Sequence, residues 1–372
     1  MAEKMLSILH TESSCGWGGQ EIRILTESRG MLNRGHRVLI LCCPQSSIYN
    51  EAKGYGVPVI ALPIEKKTLF SLLALRRWLK AEAHHFDVIN THSSTDAWLT
   101  AIASTMLLQM PAMIRTRHIS TPVHDSFMTN WLYLKASSHI VTAGERLRQQ
   151  LHIKNKFPIS HMTSVATGID LVRYQPGDKE SARKKLSIAN KPTIGIVATL
   201  RSWKGHSYLF ECWQAISVAH PEWQLLVVGD GPQRTALQKY VTDTGISERI
   251  IFTGNRNDIP DCLNCMDIFV LPSHGHEGVP QSIMQAMACS LPVISTSVGA
   301  ITEAVIHQKT GFIIEPKNNL QLREKLELLM VDNKLRIRMG EASLLRARSV
   351  FGIENMLNKM DTIFRKSAFK NY

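Results

Sequence analysis

"MDIFVLPSHGHEGVPQSIMQAMACSLPVISTSV", residues 266–298, holds two short apolar runs, 266–273 and 291–298, separated by a glycine- and proline-bounded turn and a helical pattern over 280–288. Apolar runs of this length, bounded by turn residues and joined through a helix, are the signature of a crossover between parallel strands. The turn carries one acid, Glu277, just before Gly278, Val279 and Pro280, and an amide, Gln285, follows eight positions later. Pro280 suits the first turn of a helix, where its missing N–H costs nothing. Ile283, Met284 and Met287 fall on a face that can meet the sheet, while Gln281 and Gln285, four apart, share another.

The same alternation extends outward in both directions. Upstream, 5–10, 37–43, 58–62, 87–92, 112–118 and 139–144 read as strands with helical patterns between them. It resumes with 193–200, 223–232, 249–255 and 311–316, and the tail from 318 to 370 is helical by pattern. Between the two series, 167–192 is polar and rich in turn residues. The reading is an α/β protein of two doubly wound, Rossmann-like domains facing each other across a cleft, each built on a parallel sheet. The first covers 1–175 and a link 176–190. The second covers 191–355, and a C-terminal helix, 356–372, can pack back on the first domain. A length of 372 residues agrees with two cores rather than one.

Composition narrows the classes. A hydrophobic fraction of 44% and a charged fraction of 20% are ordinary for a globular enzyme. Seven irregularly spaced cysteines do not form a disulfide framework. Cys262 and Cys265 lack the second pair that a zinc site needs and read as packing thiols; with no metal cluster visible in the sequence, no metal and no cofactor are expected. The apolar stretch 97–114 contains Thr, Ser, Gln and Pro111, and reads as a buried helix rather than a membrane span. The start has too short an apolar run for a signal peptide, so a cytoplasmic location is expected, peripheral to the inner face of the membrane if the basic charge finds anionic lipid. That charge is +12, of which +7 falls before residue 176. The basic runs are not interleaved with aromatics, which argues against nucleic acid. An anionic membrane surface or a phosphorylated substrate remains as the partner.

"SSCGWGGQE" (13–21) follows a strand and opens a helix, the context for a phosphate at a helix N-terminus. It lacks the third glycine of a dinucleotide fingerprint, and the second strand ends without an acid for a ribose. Gly18 and Gly19 still let backbone amides approach a diphosphate, although a tight turn with no ligand fits this stretch alone equally well. In the second half, "ATLRSWKGHSYLF" (198–210) puts Arg201 and Lys204 in the loop after a strand, where cations suit a leaving diphosphate. Solvent-facing side chains are the competing reading, more so for Arg201 than for Lys204.

Together these stretches resemble the GT-B retaining glycosyltransferases of family 4. The matching pieces run in order from about residue 8 to 350: "GGQE" (18–21), "TRH" ending at His118, "VATGID" (165–170), "WKGH" (203–206), "VVGDGP" (227–232), "FTGN" with Gly254, and the segment around Glu277. The resemblance implies a nucleotide-sugar donor, a saccharide or lipid-linked acceptor and retention of anomeric configuration. It assigns Lys204, with Arg201, to the diphosphate, Glu277 to the donor sugar and His118 to the reacting sugar. Gly18, Gly19, Gly254, Gly278, Val279, Pro280, Gln281 and Gln285 line the donor. The sequence departs from the family at two places: Gln285 stands where a second acid usually holds the ribose, and Thr199 where an arginine is common. A surface-glycan pathway such as lipopolysaccharide is the expected setting. Two rivals share the architecture, a sugar-nucleotide epimerase and a degenerate nucleotide-sugar binder without turnover.

Overall fold

The computed structural model describes residues 4–369 except Ser120 and His276. It divides into two compact units, residues 4–168 with 354–369, and residues 169–353.

The first unit is a seven-stranded, all-parallel sheet. Its strands are β1 (Ser7–Glu12), β2 (Arg37–Cys42), β3 (Val59–Ala61), β4 (Val88–Thr91), β5 (Ala112–Arg117), β6 (His139–Thr142) and β7 (Met162–Ser164), in the order β3-β2-β1-β4-β5-β6-β7. β1 and β4 are buried along nearly their whole length, as strands covered by helices on both faces must be. The helix Gly19–Asn33 returns the chain from β1 to β2, and Ile24 and Leu25 pack with Ile40, Cys42 and Ile48. On the far side, Leu132, Tyr133, Leu147, Leu151 and Phe157 close the core under β5 and β6. The strand order reverses between β1 and β4, so their carboxyl ends diverge and leave a crevice, the usual ligand position in an open α/β sheet.

The second unit repeats the plan with six parallel strands: β8 (Thr193–Val197), β9 (Gln224–Val228), β10 (Ile250–Gly254), β11 (Ile268–Leu271), β12 (Val293–Thr296) and β13 (Gly311–Ile314). Their order is β10-β9-β8-β11-β12-β13, with the switch between β8 and β11.

The chain passes between units at residues 168–169 and 353–354. The two crossings are tied together, since Ile169 N–H donates to Phe351 O at 2.7 Å and Ile353 N–H to Ile169 O at 3.1 Å. The expected link over 176–190 instead holds a helix, Lys179–Lys185, that belongs to the second unit. Its Arg183 donates to Asp267 at 2.7 Å and to Cys265 O at 3.1 Å, an anchor far away in sequence. The last helix, Ile353–Ala368, lies almost wholly in the first unit and buries Met356, Leu357, Met360, Ile363 and Phe364. Gly30 makes room for it: a Cβ there would stand 2.4 Å from Leu357 Cδ1.

Three local expectations change. The helix read over 97–114 spans Ser94–Ser104, Met106 and Leu108 beyond it are exposed in a loop, and residues 112–114 already belong to β5. No described helix is long and apolar enough to cross a membrane. The tail is three helices, Asn319–Val331, Asn333–Val350 and Ile353–Ala368, and residue 370 lies outside the described residues. Finally, β7 pairs with β6 in a stretch for which the sequence pattern gives no strand, ahead of the polar 167–192 segment.

Candidate active site

In the second unit the loops after β8 and β11 are built against each other. Gly205, at φ 82°, closes the turn after Lys204, and a Cβ there would lie 2.1 Å from Pro272 O. The backbone N–H of His274 donates to Trp203 O at 2.8 Å, and Gly275 leaves room for the Trp203 side chain. This contact brings Lys204 Nζ to Glu277 Oε1 at 2.7 Å. Ser273 Oγ donates to the same oxygen at 2.8 Å. Glu277 is buried and Lys204 largely so. Behind them, Gly299 at φ 59° would set a Cβ only 2.0 Å from Glu277 O, so the loop after β12 fixes the acid's backbone from the other side. A cation and a carboxylate thus share the switch point, held by three strand-end loops.

The remaining donor-side residues surround this pair to different degrees. Pro280 caps the helix Gln281–Ala288 rather than opening its first turn, and its carbonyl accepts from Ile283 N–H at 3.2 Å. Ile283, Met284 and Met287 are fully buried, while Gln281 and Gln285 are half-buried on the opposite side. Val279 is buried and Gly278 half-buried. Gly254 ends β10, and its carbonyl accepts from Gly229 N–H at 2.9 Å, part of the stack formed by Gly229 and Gly231 against Ala198 and Leu200. Arg201 is exposed, with its guanidinium 5.1 Å from the Trp203 ring centroid, and Thr199 is exposed beside it. Neither bonds to Glu277 in this arrangement. His206 follows Lys204 into the next helix; burial, with Lys204 beside it, pushes its imidazole down to about 4.

In the first unit the polar residues gather at the ends of β1 and β4. Glu12 accepts from Ser93 and Gln20 side chains and from Ser14 N–H. Gln20 lies in the first turn of the helix Gly19–Asn33, so this acid anchors the helix start at Gly19 and its N-cap Gly18. Gly18 itself has extended backbone, φ −173°, and a Cβ there would touch only Glu21 Oε2 at 3.7 Å, so neither conformation nor packing within the unit demands glycine. Asp96 accepts from His92 N–H, Ser93 N–H and Thr11 Oγ1 at 2.8–2.9 Å. Burial and the neighbouring Asp96 push the Glu12 carboxyl up to about 8, so Glu12 carries the proton at neutral pH.

His118 stands half-buried just past β5 and ends a row of three imidazoles. His10 Nδ1 lies 2.9 Å from His92 Nε2, and His92 Nδ1 lies 3.0 Å from His118 Nε2. Adjacent ring planes are inclined by 18° and 27° with centroids 5.2 Å apart, the spacing of rings joined edge to edge through these nitrogens. Burial, reinforced by Arg23, Arg115 and Arg117, holds His118 well below the usual imidazole range.

His118, Lys204 and Glu277 are legible as site residues in the sequence, whereas Ser273, Glu12, Gln20, Asp96, His10 and His92 are brought to the strand ends only by the fold. A signal existed in "SILHTE" (7–12) and "VINTHSS" (88–94), where otherwise apolar parallel strands turn polar at their carboxyl ends.

Two parallel Rossmann-like sheets, each with polar side chains gathered at its switch point, define the two-domain GT-B architecture of glycosyltransferases. Residues 17–173 match Glycosyltransferase Family 4, and residues 178–346 match the Glycosyl transferases group 1 family. The chain belongs to these group 1/family 4 glycosyltransferases. Over 321 residues it is 29% identical to the lipopolysaccharide core biosynthesis mannosyltransferase LpsB of Rhizobium meliloti, taking in 84% of this chain and 87% of that one. A 28% identical match to an uncharacterized glycosyltransferase of Haemophilus influenzae takes in 55% of this chain and 56% of that protein. Among solved structures, Anabaena HepE in complex with UDP-glucose superposes with a TM-score of 0.84 at 21% identity, covering 97% of this chain and all of that one. At that identity the likeness concerns the fold.

Proposed function

We propose that this protein is a retaining glycosyltransferase that moves a sugar from a nucleoside-diphosphate donor to a hydroxyl of a saccharide or lipid-linked acceptor in bacterial surface-glycan assembly. The observation that carries the reading is the Lys204–Glu277 pair at the switch point of the second sheet. Glu277 accepts from hydroxyls of the donor sugar. Lys204 and Arg201 meet the charge that grows on the diphosphate as its bond to the sugar breaks, and amides at Gly278–Gln281 and at Gly18–Gly19 assist. Gln285 can both donate to and accept from ribose hydroxyls. Gly254, at φ 68° in the turn that ends β10, lines the donor side. With cations and amides serving the diphosphate, the reaction runs without a bound divalent metal. His118 contributes from the first unit, which receives the acceptor.

The relatives support the setting: LpsB is named for lipopolysaccharide core synthesis, and HepE was solved with UDP-glucose. A peripheral place on an anionic membrane fits the +7 excess before residue 176. It also fits Leu69, Phe70 and Leu73, which are exposed beside Lys66, Lys67 and Arg77. Failure to bind anionic vesicles at low salt would remove this part. The donor assignment is tested by thermal shift against UDP-, GDP- and ADP-sugars. One of them should stabilise the wild type in a concentration-dependent way and leave Glu277→Ala unmoved. Equal shifts in both proteins would place the donor elsewhere.

A further inference from the structure

We propose that His10 and His92 are positioning residues that lock His118 in the tautomer with its proton on Nδ1, so that His118 offers substrate a hydrogen-bond donor and not a base. The inference rests on the reading of His118 as part of the transferase site. It uses the row of three rings, which that reading does not explain.

A neutral imidazole has one N–H and one lone pair, and which nitrogen holds the proton is set by the partner of the other. Two N···N contacts at 2.9 and 3.0 Å therefore force the three rings into one head-to-tail order. In the inward order, His118 Nε2 donates to His92, His92 Nε2 donates to His10, and the last proton sits on His10 Nε2. That atom is buried and has no hydrogen-bond partner among the described residues. The neighbouring Phe364 ring stands edge to face with its centroid 6.1 Å from that of His10, too far for an N–H to rest on its face. An orphaned buried N–H is rarer and costlier than an orphaned acceptor. The outward order avoids it: His10 Nδ1–H donates to His92, His92 Nδ1–H donates to His118 Nε2, and the final proton lies on His118 Nδ1.

The surroundings keep the row neutral. Arg23 faces it from the helix Gly19–Asn33, where Glu27 is its ion-pair partner at 3.7 Å, and Arg115 and Arg117 face it from β5. Burial alone pushes His10 down to about 3, and His92 lies well below the ordinary range through burial, the two flanking imidazoles, Arg23 and Arg115. A base at His118 would have to become an imidazolium among three guanidinium groups. A neutral donor carries no such cost and can stabilise negative charge growing on a substrate oxygen.

The test is two-bond 1H–15N correlation NMR of the histidine-labelled, full-length protein, with His118 assigned by its absence in His118→Ala. The proposal expects an Nδ1–H tautomer for His118 that does not change between pH 5.5 and 8.5. An Nε2–H tautomer, or titration inside that range, overturns it. These readouts need no turnover, so they stand even if no nucleotide sugar proves to be a donor. Kinetics then test the positioning role. His92→Phe should lower kcat by about tenfold or more with donor KM little changed, and should add an acidic limb to the pH profile. His92→Gln, which can still donate to His118 Nε2, should recover much of the loss. A His92→Phe enzyme with wild-type kcat and pH profile would refute the positioning role.

Discussion

Replacing Lys204 by methionine removes the cation beside the Glu277 carboxylate in a site where the Glu277 side chain is 8% exposed. Lys204 keeps a similar volume as methionine but loses the charge at 2.7 Å, leaving Ser273 Oγ as the other named donor to Oε1. Breaking a fully buried pair costs about 3–5 kcal/mol. Lys204 is 18% exposed, so water recovers part of this, and a loss of about 2 kcal/mol is expected. For a unit of this size that lowers Tm by about 4–8 °C. Glu277→Gln on top of Lys204→Met removes the buried charge and keeps an acceptor for Ser273. The double variant should therefore be more stable than the sum of the single losses by about 1–2 kcal/mol. Urea unfolding of the four proteins of this cycle, without ligand, measures the coupling. Additivity within about 0.3 kcal/mol would refute the claim that these two side chains form one coupled unit at the switch point.

Other expectations follow from the same geometry. Gly205→Ala forces a side chain onto φ 82° and a Cβ to within 2.1 Å of Pro272 O, and should cost about 2–3 kcal/mol while displacing Lys204; denaturant unfolding and donor titration would register both. Glu12 holds its proton to about pH 8 when folded, against an ordinary value of 4.5. Its contribution to stability is thus complete below pH 4.5 and lost as pH rises through 8. Glu12→Gln should flatten the stability profile across that window by up to about 1.4 kcal/mol per pH unit, seen in Tm measured at pH 5 to 9. Gln285→Glu restores the charge that family members carry there, and should tighten nucleotide-sugar binding about fivefold, or about 1 kcal/mol, by calorimetric titration.

The parts of the molecule that could be read from sequence are those set by local pattern. The strand pairs around Glu277 and the glycine turns at Gly205 and Gly254 carry their signals within a few residues. Strand ends were read too long where a buried loop continues the apolar run: Leu271 ends β11, yet Pro272 and Ser273 are as buried as the strand. β7 escaped because it is a three-residue edge strand containing Thr163 and Ser164. The link was misplaced because Arg183 finds Asp267 across the second unit, a partner no local window contains. The histidine row depends on the adjacency of β1, β4 and β5, which joins residues 10, 92 and 118. Lys204 and Glu277 were each legible as candidates, but their contact at 2.7 Å is a product of topology.

The most direct test of the central claim is 1H NMR of a reaction holding the enzyme, the nucleotide sugar that stabilises it and an acceptor saccharide. The account predicts release of nucleoside diphosphate matched by a new glycoside whose anomeric coupling has the donor's configuration, with neither product formed by Glu277→Ala. Release without a glycoside, a product of inverted configuration, or full activity in Glu277→Ala would contradict it.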